Sequence, residues 1–197
     1  NANGLDSYYA ADGSITTSPQ SADRQILGCA NPDFTMGWNN NFTYKNFGLS
    51  FLINARVGGI VTSSTQALLD RFGVSKASAD ARDAGGVMIP NQGLYDAKKY
   101  YTLVATGEND LAGYYTYSAT NVRLQELTLS YKFNSRLFNN VIKDLTLSFV
   151  ATNPWMIYCK APFDPELTAS TGTYGQGNDY FMQPSLKSYG LSVKFKF

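Results

Sequence analysis

Hydrophobic and polar residues alternate strictly along five stretches of this chain. In residues 188–197, Tyr189, Leu191, Val193, Phe195 and Phe197 take every second position, with Ser188, Gly190, Ser192, Lys194 and Lys196 between them. A period of two marks a strand with one apolar and one polar face. Residues 34–44 repeat it: Phe34, Met36, Trp38, Phe42 and Tyr44 share a phase in which Asn40 is the exception. The turn Lys45–Gly48 leads into residues 49–57, where Leu49, Phe51, Ile53, Ala55 and Val57 alternate with Ser50, Leu52, Asn54 and Arg56. Two such runs joined by a short turn containing Gly predict a hairpin. Residues 122–133 place Leu127, Leu129, Tyr131 and Phe133 on the apolar phase, and residues 145–152 place Leu145, Leu147, Phe149 and Ala151 there. Val122 and Leu124 fall out of phase, which predicts a bulge or an inward apolar contact near Gln125.

Of the charges in these stretches, Arg56, Glu126, Lys132, Lys194 and Lys196 lie on the polar phase, while Arg123 stands with Val122 and Leu124 beyond the break in phase near Gln125. Strands of roughly 8–12 residues with one uncharged face suit a bilayer crossing of about 9–11 residues. Phe34, Tyr44, Phe133, Tyr189 and Phe197 stand toward strand ends, where a girdle at the lipid–water boundary belongs. The connections alternate in length as well. Lys45–Gly48 and residues 134–144 are short, whereas 1–33, 58–121 and 153–187 are long and rich in Gly, Ser, Asn and Tyr. Outer-membrane barrels have short periplasmic turns and long extracellular loops. The predicted fold is therefore all-β, a transmembrane antiparallel β-barrel segment occupying residues 1–197 with three extracellular loops. Two Ser-capped segments in the longest loop predict short helices: "SSTQALLDRFG", with a Leu68, Leu69 and Phe72 cluster and a Gly stop, and "SKASADARDAGG".

Five strands cannot close a membrane barrel, whose smallest form has about 8. An open edge in hydrocarbon leaves backbone groups unpaired at several kcal/mol each. The remaining strands are expected from the same polypeptide, of which this chain reads as a fragment or processed piece: it opens without Met and without a signal peptide.

Composition narrows the chemistry. With 16 basic and 15 acidic residues the net charge is +1, so no field recruits nucleic acid. Histidine is absent, which removes His-based triads, imidazole bases and His-ligated metals. Charged residues make up 16% of the chain, against about 25% in ordinary soluble domains, while Tyr, Phe and Trp number 14, 12 and 2. Cys29 and Cys159 are far apart and outside any CxxC spacing, so a disulfide between them stays open.

The motif order resembles the C-terminal barrel of SusC/RagA-like TonB-dependent transporters. Asp23, Arg24, Gly28, Pro32, Phe34, Gly37 and Trp38 match a D-R-x-x-x-G-x-x-x-P-x-F/Y-x-x-G-F/W stretch. Arg123, Leu124, Leu127, Thr128, Leu129 and Tyr131 match an R-L-x-x-L/V-T/S-L-x-Y strand. Asn153, Pro154 and Trp155 follow the next strand, and Asp164, Pro165 and Glu166 give a loop D-P-E. The resemblance implies a barrel of about 22 strands, plugged by an N-terminal domain and lidded by a SusD-like surface lipoprotein. It implies energised import, through TonB, of oligosaccharides or peptides across the outer membrane of a Gram-negative, Bacteroidetes-like cell. Tyr189, Leu191, Val193, Phe195 and Phe197 would then be the signal read by the barrel-assembly machinery. Family members often carry an Asp- and Asn-rich stretch ahead of the D-R motif. Here only Asp6, Asp12 and Asp23 stand there, too few for the six to eight oxygens of calcium. No metal site and no cofactor are expected.

Trp155, Tyr158, Tyr174, Tyr180 and Phe181 in the last long loop are candidate ligand contacts, since aromatic rings stack on sugars and bury well against peptides. The bland alternative is a loop packed on itself or against the lid. Asp164 and Glu166, two apart around Pro165, are candidates too, with a rigid turn or lid contact as the alternative. No second chemical group makes them an acid–base pair, and no enzyme is expected. Two rival readings stand: a soluble β-sandwich carbohydrate-binding module, soluble without detergent, and a passive porin-like barrel, which would lack a plug and TonB segment.

Overall fold

The computed structural model of the chain describes residues 26–89, 93–105, 113–134, 144–167 and 175–196. Asp6, Asp12, Asp23, Arg24, Tyr174, Phe197 and most of the short connection 134–144 lie outside them. Along the chain come β1 (Phe34–Tyr44), β2 (Phe47–Val57), β3 (Ile60–Ser63), α1 (Ser64–Arg71) and α2 (Lys76–Asp83). They are followed by β4 (Val87–Ile89), β5 (Gly93–Tyr95), α3 (Ala97–Val104) and β6 (Thr116–Ser118). The last elements are β7 (Asn121–Phe133), β8 (Asp144–Cys159), β9 (Asn178–Asp179) and β10 (Ser188–Lys196). Among the described residues no helix is long and apolar enough to cross a membrane, which says nothing of crossing by strands. The elements fall into two compact units.

One unit comprises Pro32–Gly58, Ala119–Pro165 and Gln183–Phe197. It is a five-stranded sheet in the order β1-β2-β7-β8-β10, each strand antiparallel to its neighbour. Residues opposed across a ladder share a face, and the register joins like with like. Phe42 faces Leu49, Leu49 faces Leu129, Leu129 faces Phe149, and Phe149 faces Leu191. One apolar face thus runs unbroken across all five strands, reinforced by ring contacts such as Phe47–Tyr131 at 4.7 Å and Trp38–Phe51 at 5.9 Å. No second layer covers it within the unit: Phe34, Trp38 and Leu191 are 54%, 55% and 75% exposed. The buried apolar residues of its strands are alanines, Ala55 and Ala151.

Four local departures from strict alternation shape this sheet, one of them a register shift between Val122 and Arg123 that leaves Ile157 of β8 with no residue opposite. The turn after β1 consists of Lys45 and Asn46 alone, with Lys45 left-handed at φ 52. Phe47 and Gly48, expected in the turn, open β2 instead, opposite Tyr44 and Thr43. On β7, Glu126 pairs with Leu52 and Leu124 with Ile53, so Gln125 bulges out of register. That single extra residue returns Leu124 and Val122 to the apolar face. On β8, Thr152 pairs with Glu126 and Trp155 with Leu124, leaving Asn153 and Pro154 in a second irregularity. A proline, lacking N–H, is tolerated in a strand at such a place, and Asn153 is left-handed at φ 49. β8 therefore continues to Cys159, seven residues past its expected end. Where β2 leaves the sheet, Gly58 has φ +80, and a Cβ there would come within 2.9 Å of the Asp33 backbone nitrogen, so only glycine fits.

The other unit comprises Asn1–Asn31, Gly59–Ser118 and Glu166–Met182. β3 pairs antiparallel with β6 and parallel with β9; β4 and β5 form a hairpin. Its core gathers Ile89, Tyr100, Tyr101, Val104, Ala105 and Tyr115. Both expected helices are present and Ser-capped. Ser63 Oγ accepts from Gln66 N at 3.0 Å, and Ser75 Oγ from Ser78 N at 3.0 Å. Of the apolar Leu68, Leu69 and Phe72, the first two are half-buried, while Phe72 is the C-cap of α1 and 74% exposed. The third helix, α3, is capped by Asp96 and buries Ala97, Tyr100, Tyr101 and Val104, an i, i+3, i+4, i+7 stripe.

Ser63 is buried and also donates to Asp179 Oδ2 at 2.7 Å, tying α1 to β9. Ser63→Ala removes a helix cap worth about 0.5–2 kcal/mol and leaves the buried Asp179 carboxylate short of a donor at roughly 1–3 kcal/mol. A drop of a few degrees or more in the unfolding temperature of this unit, read by calorimetry, is expected; no change would contradict the assigned bond. Tyr101, Tyr114 and Tyr117 titrate above the ordinary 10.0, chiefly through burial. The Asp70 carboxylate adds to this in each, after the neighbouring tyrosines in the case of Tyr114. Burial favours the neutral phenol, so its stabilisation is complete below pH 10.0 and is lost as pH rises through the raised values. After the exposed tyrosines have ionised, alkaline titration should show a second rise in tyrosinate absorbance at higher pH, together with loss of circular dichroism.

Candidate functional site

The sequence candidates separate into three places. Trp155 and Tyr158 are strand residues, not loop residues. The irregularity at Asn153 and Pro154 lets β8 run on, and a further register shift at Ile157 brings both side chains to the apolar face, opposite Leu124 and Val122. Both are exposed there. They sit at the end of the sheet from which the long connections leave. The opposite end carries Tyr44, Phe47, Tyr131 and Phe133 beside the tight turn.

Tyr180 and Phe181 do come together, in the unit outside the five-stranded sheet. Their rings meet edge to face at 5.2 Å, and both are exposed. Phe181 holds a left-handed φ of 49, a conformation that costs a non-glycine residue about 1–3 kcal/mol. Its N–H is held by Thr65 Oγ1 at 2.7 Å. That bond presents the two rings as a fixed aromatic step rather than a loose tip. Tyr174 lies outside the described residues.

Asp164 is not an open ligand contact. Its Oδ1 accepts from Arg123 Nη2 at 2.6 Å, in an ion pair whose side chains are 6% and 8% exposed. Its Oδ2 lies 3.4 Å from the Ser185 N–H, and Arg123 Nη1 donates to Ser185 Oγ at 3.0 Å. Pro165 is fully buried and Glu166 half-buried. The two motif residues Arg123 and Asp164, 41 positions apart, thus meet in space. Sequence reading placed each in a motif but not the pair, because nothing in a strand pattern encodes such a contact.

The polar face carries Arg56, Arg123, Glu126, Lys132, Asp144, Lys194 and Lys196. Lys132 Nζ meets Asp144 Oδ1 at 2.8 Å in a solvent-exposed pair, where water screens most of the attraction. On β10, Tyr189, Leu191, Val193 and Phe195 line the apolar face, and Phe197 lies outside the described residues. Among the described residues no three carboxylate or thiol groups gather as a metal site. Cys29 and Cys159 are unbridged.

No protein-family model matches the chain. It is 27% identical over 192 residues to TonB-dependent receptor P3 of Formosa agariphila, a match covering 94% of this chain and 18% of the receptor. Its fold matches a chain of the RagAB peptide importer in the open-open state with a TM-score of 0.65 at 19% identity, covering 96% of this chain and 20% of that one. The closed-closed state matches with a TM-score of 0.61 at 19% identity, over 94% and 20%. These findings bear out the resemblance read from the motifs to the SusC/RagA-like TonB-dependent transporters. The chain spans about a fifth of the length of the proteins it matches.

Proposed function

We propose that this chain forms part of the wall of an outer-membrane, TonB-dependent importer, a closed barrel of about 22 strands. One observation carries the reading. An apolar face runs across five antiparallel strands, uncovered by any second layer in its unit and bounded by aromatic residues at both ends. Soluble domains rarely expose a contiguous apolar patch beyond a few hundred Å². In this reading the face lies against lipid and the polar face toward the lumen. Leu145 to Trp155 spans about ten residues, roughly 33 Å at about 3.3 Å each. Tilted by about 40°, that is roughly 25 Å along the bilayer normal, the height of the apolar band in such barrels. Trp155 and Tyr158 then belong to the outer aromatic belt, and Tyr180 with Phe181 remain the candidate ligand step.

The edges β1 and β10 each lack a second neighbour in this sheet. Five strands of about 22 agree with a chain spanning about a fifth of its relatives. The remaining wall, a plug, TonB and a SusD-like lipoprotein complete the assembly in this reading. The cargo is an oligosaccharide or a peptide. The chain holds no catalytic role.

A single-cysteine scan of residues 127–132 in the full-length transporter, lacking Cys29 and Cys159, tests the wall. Cysteines at Leu127, Leu129 and Tyr131 should react only with a lipid-soluble maleimide, and those at Thr128, Ser130 and Lys132 with a water-soluble one. Equal labelling by the water-soluble reagent on both phases would sink the barrel reading in favour of a soluble module. Leu129→Arg should cost about 2–4 kcal/mol near the midplane and Thr128→Arg little, as read by urea unfolding in liposomes. Cargo uptake that persists without TonB would replace active import with a passive channel.

A further inference from the structure

The guanidinium of Arg123 addresses two segments at once. Asp164 lies just beyond the end of β8, and Ser185 just before the start of β10. These segments are the two roots of the β8–β10 connection. Arg123, near the start of β7, bonds the first root through Asp164 at 2.6 Å and the second through Ser185 at 3.0 Å. The roots are also joined to each other by Ser185 N–H and Asp164 Oδ2. Each root has a further tie to β8. Cys159 Sγ donates to the Ala161 carbonyl at 3.4 Å, and Asn153 Nδ2 to the Leu186 carbonyl at 3.3 Å.

The chemistry fits a fastening better than a surface ornament. A planar guanidinium presents donors in two directions at fixed angles, which an ammonium cannot do. An exposed ion pair contributes almost nothing, but here both side chains are withdrawn from water. Removing one partner strands the other as a buried charge. We propose that Arg123, Asp164 and Ser185 form a clamp fixing both roots of the β8–β10 connection to the wall strand β7. Arg123 is thereby a positioning residue: it sets where the connection starts and ends. What the connection contacts rests on the import reading above; the clamp itself does not.

Hydrogen exchange on the full-length transporter in detergent, followed by mass spectrometry, reads the clamp directly. Asp164→Asn should raise amide exchange at residues 160–165 and 183–187 by about tenfold or more, with β1 and β2 unchanged, as for local rather than global opening. Ser185→Ala should raise it at 183–187 only. Arg123→Lys, which keeps the charge but loses the fork, should free the Ser185 root more than the Asp164 root. In cargo uptake, Ser185→Ala should shift the half-saturating concentration severalfold and leave the maximal rate in place. Unchanged exchange at both roots in Asp164→Asn would overturn the clamp. So would acceleration spread over all five strands, since that is a folding residue's signature. Faster exchange confined to the roots with unaltered uptake would uphold the clamp and count against a cargo-binding role for the connection.

Discussion

Antiparallel pairing places directly opposed residues on the same side of a sheet, and everything else in the larger unit follows from the register this imposes. Trp38 meets Ile53, which meets Leu124, which meets Trp155. A slip of one residue between any two strands would carry a whole apolar row onto the polar face. Arg56 or Lys132 would then stand among Phe51, Leu129 and Phe149. Hydrophobic burial inside the unit cannot prevent this, since the apolar side chains remain exposed. What holds the register is the ladder, the tight Lys45–Asn46 turn, and the environment that each face meets.

Bulges are how the sheet keeps that register while its sequence breaks phase. Gln125 absorbs one residue on β7 and brings Leu124 and Val122 back among their kind. Asn153 and Pro154 do the same for β8. Both devices sit at one level of the sheet, since Leu124 pairs with Trp155 and Glu126 with Thr152. A bulge strengthens local twist and bends the strand, and these stand near the end of the sheet from which the long connections leave.

Most of the strand pattern was legible because alternation is a local signal, carried by neighbours in sequence. The misreading of Trp155 and Tyr158 as loop residues has the same origin. Pro154 normally ends a strand, and only the pairing with β7 shows that it does not end this one. Serine caps identified α1 and α2 from a few residues each, whereas α3 lay hidden in "DAKKYYTLV", where tyrosines favour strand and helix alike. Phe72 was grouped with Leu68 and Leu69 as an apolar cluster on the first of these helices. Helix length decided otherwise: α1 stops at Arg71, so Phe72 takes a capping position. The pairings Arg123–Asp164 and Ser63–Asp179 bridge long stretches of chain, and no periodicity could reveal them.

A buried ion pair is a costly way to gain stability, because desolvating two charges cancels most of their attraction; a pair of apolar side chains would often do as well. Its advantage is directional. Apolar packing tolerates small shifts and sliding, but a guanidinium with one oxygen at 2.6 Å and another at 3.0 Å tolerates neither. Such a contact belongs where position matters more than strength. The apolar face needs no such device, since lipid or any other apolar surroundings would reward every residue on it alike. The junction between wall and connection is different. There the chain leaves a regular ladder for a segment whose backbone conformations include the left-handed Phe181. Fixing both roots to one strand sets where the connection leaves β8 and where it enters β10.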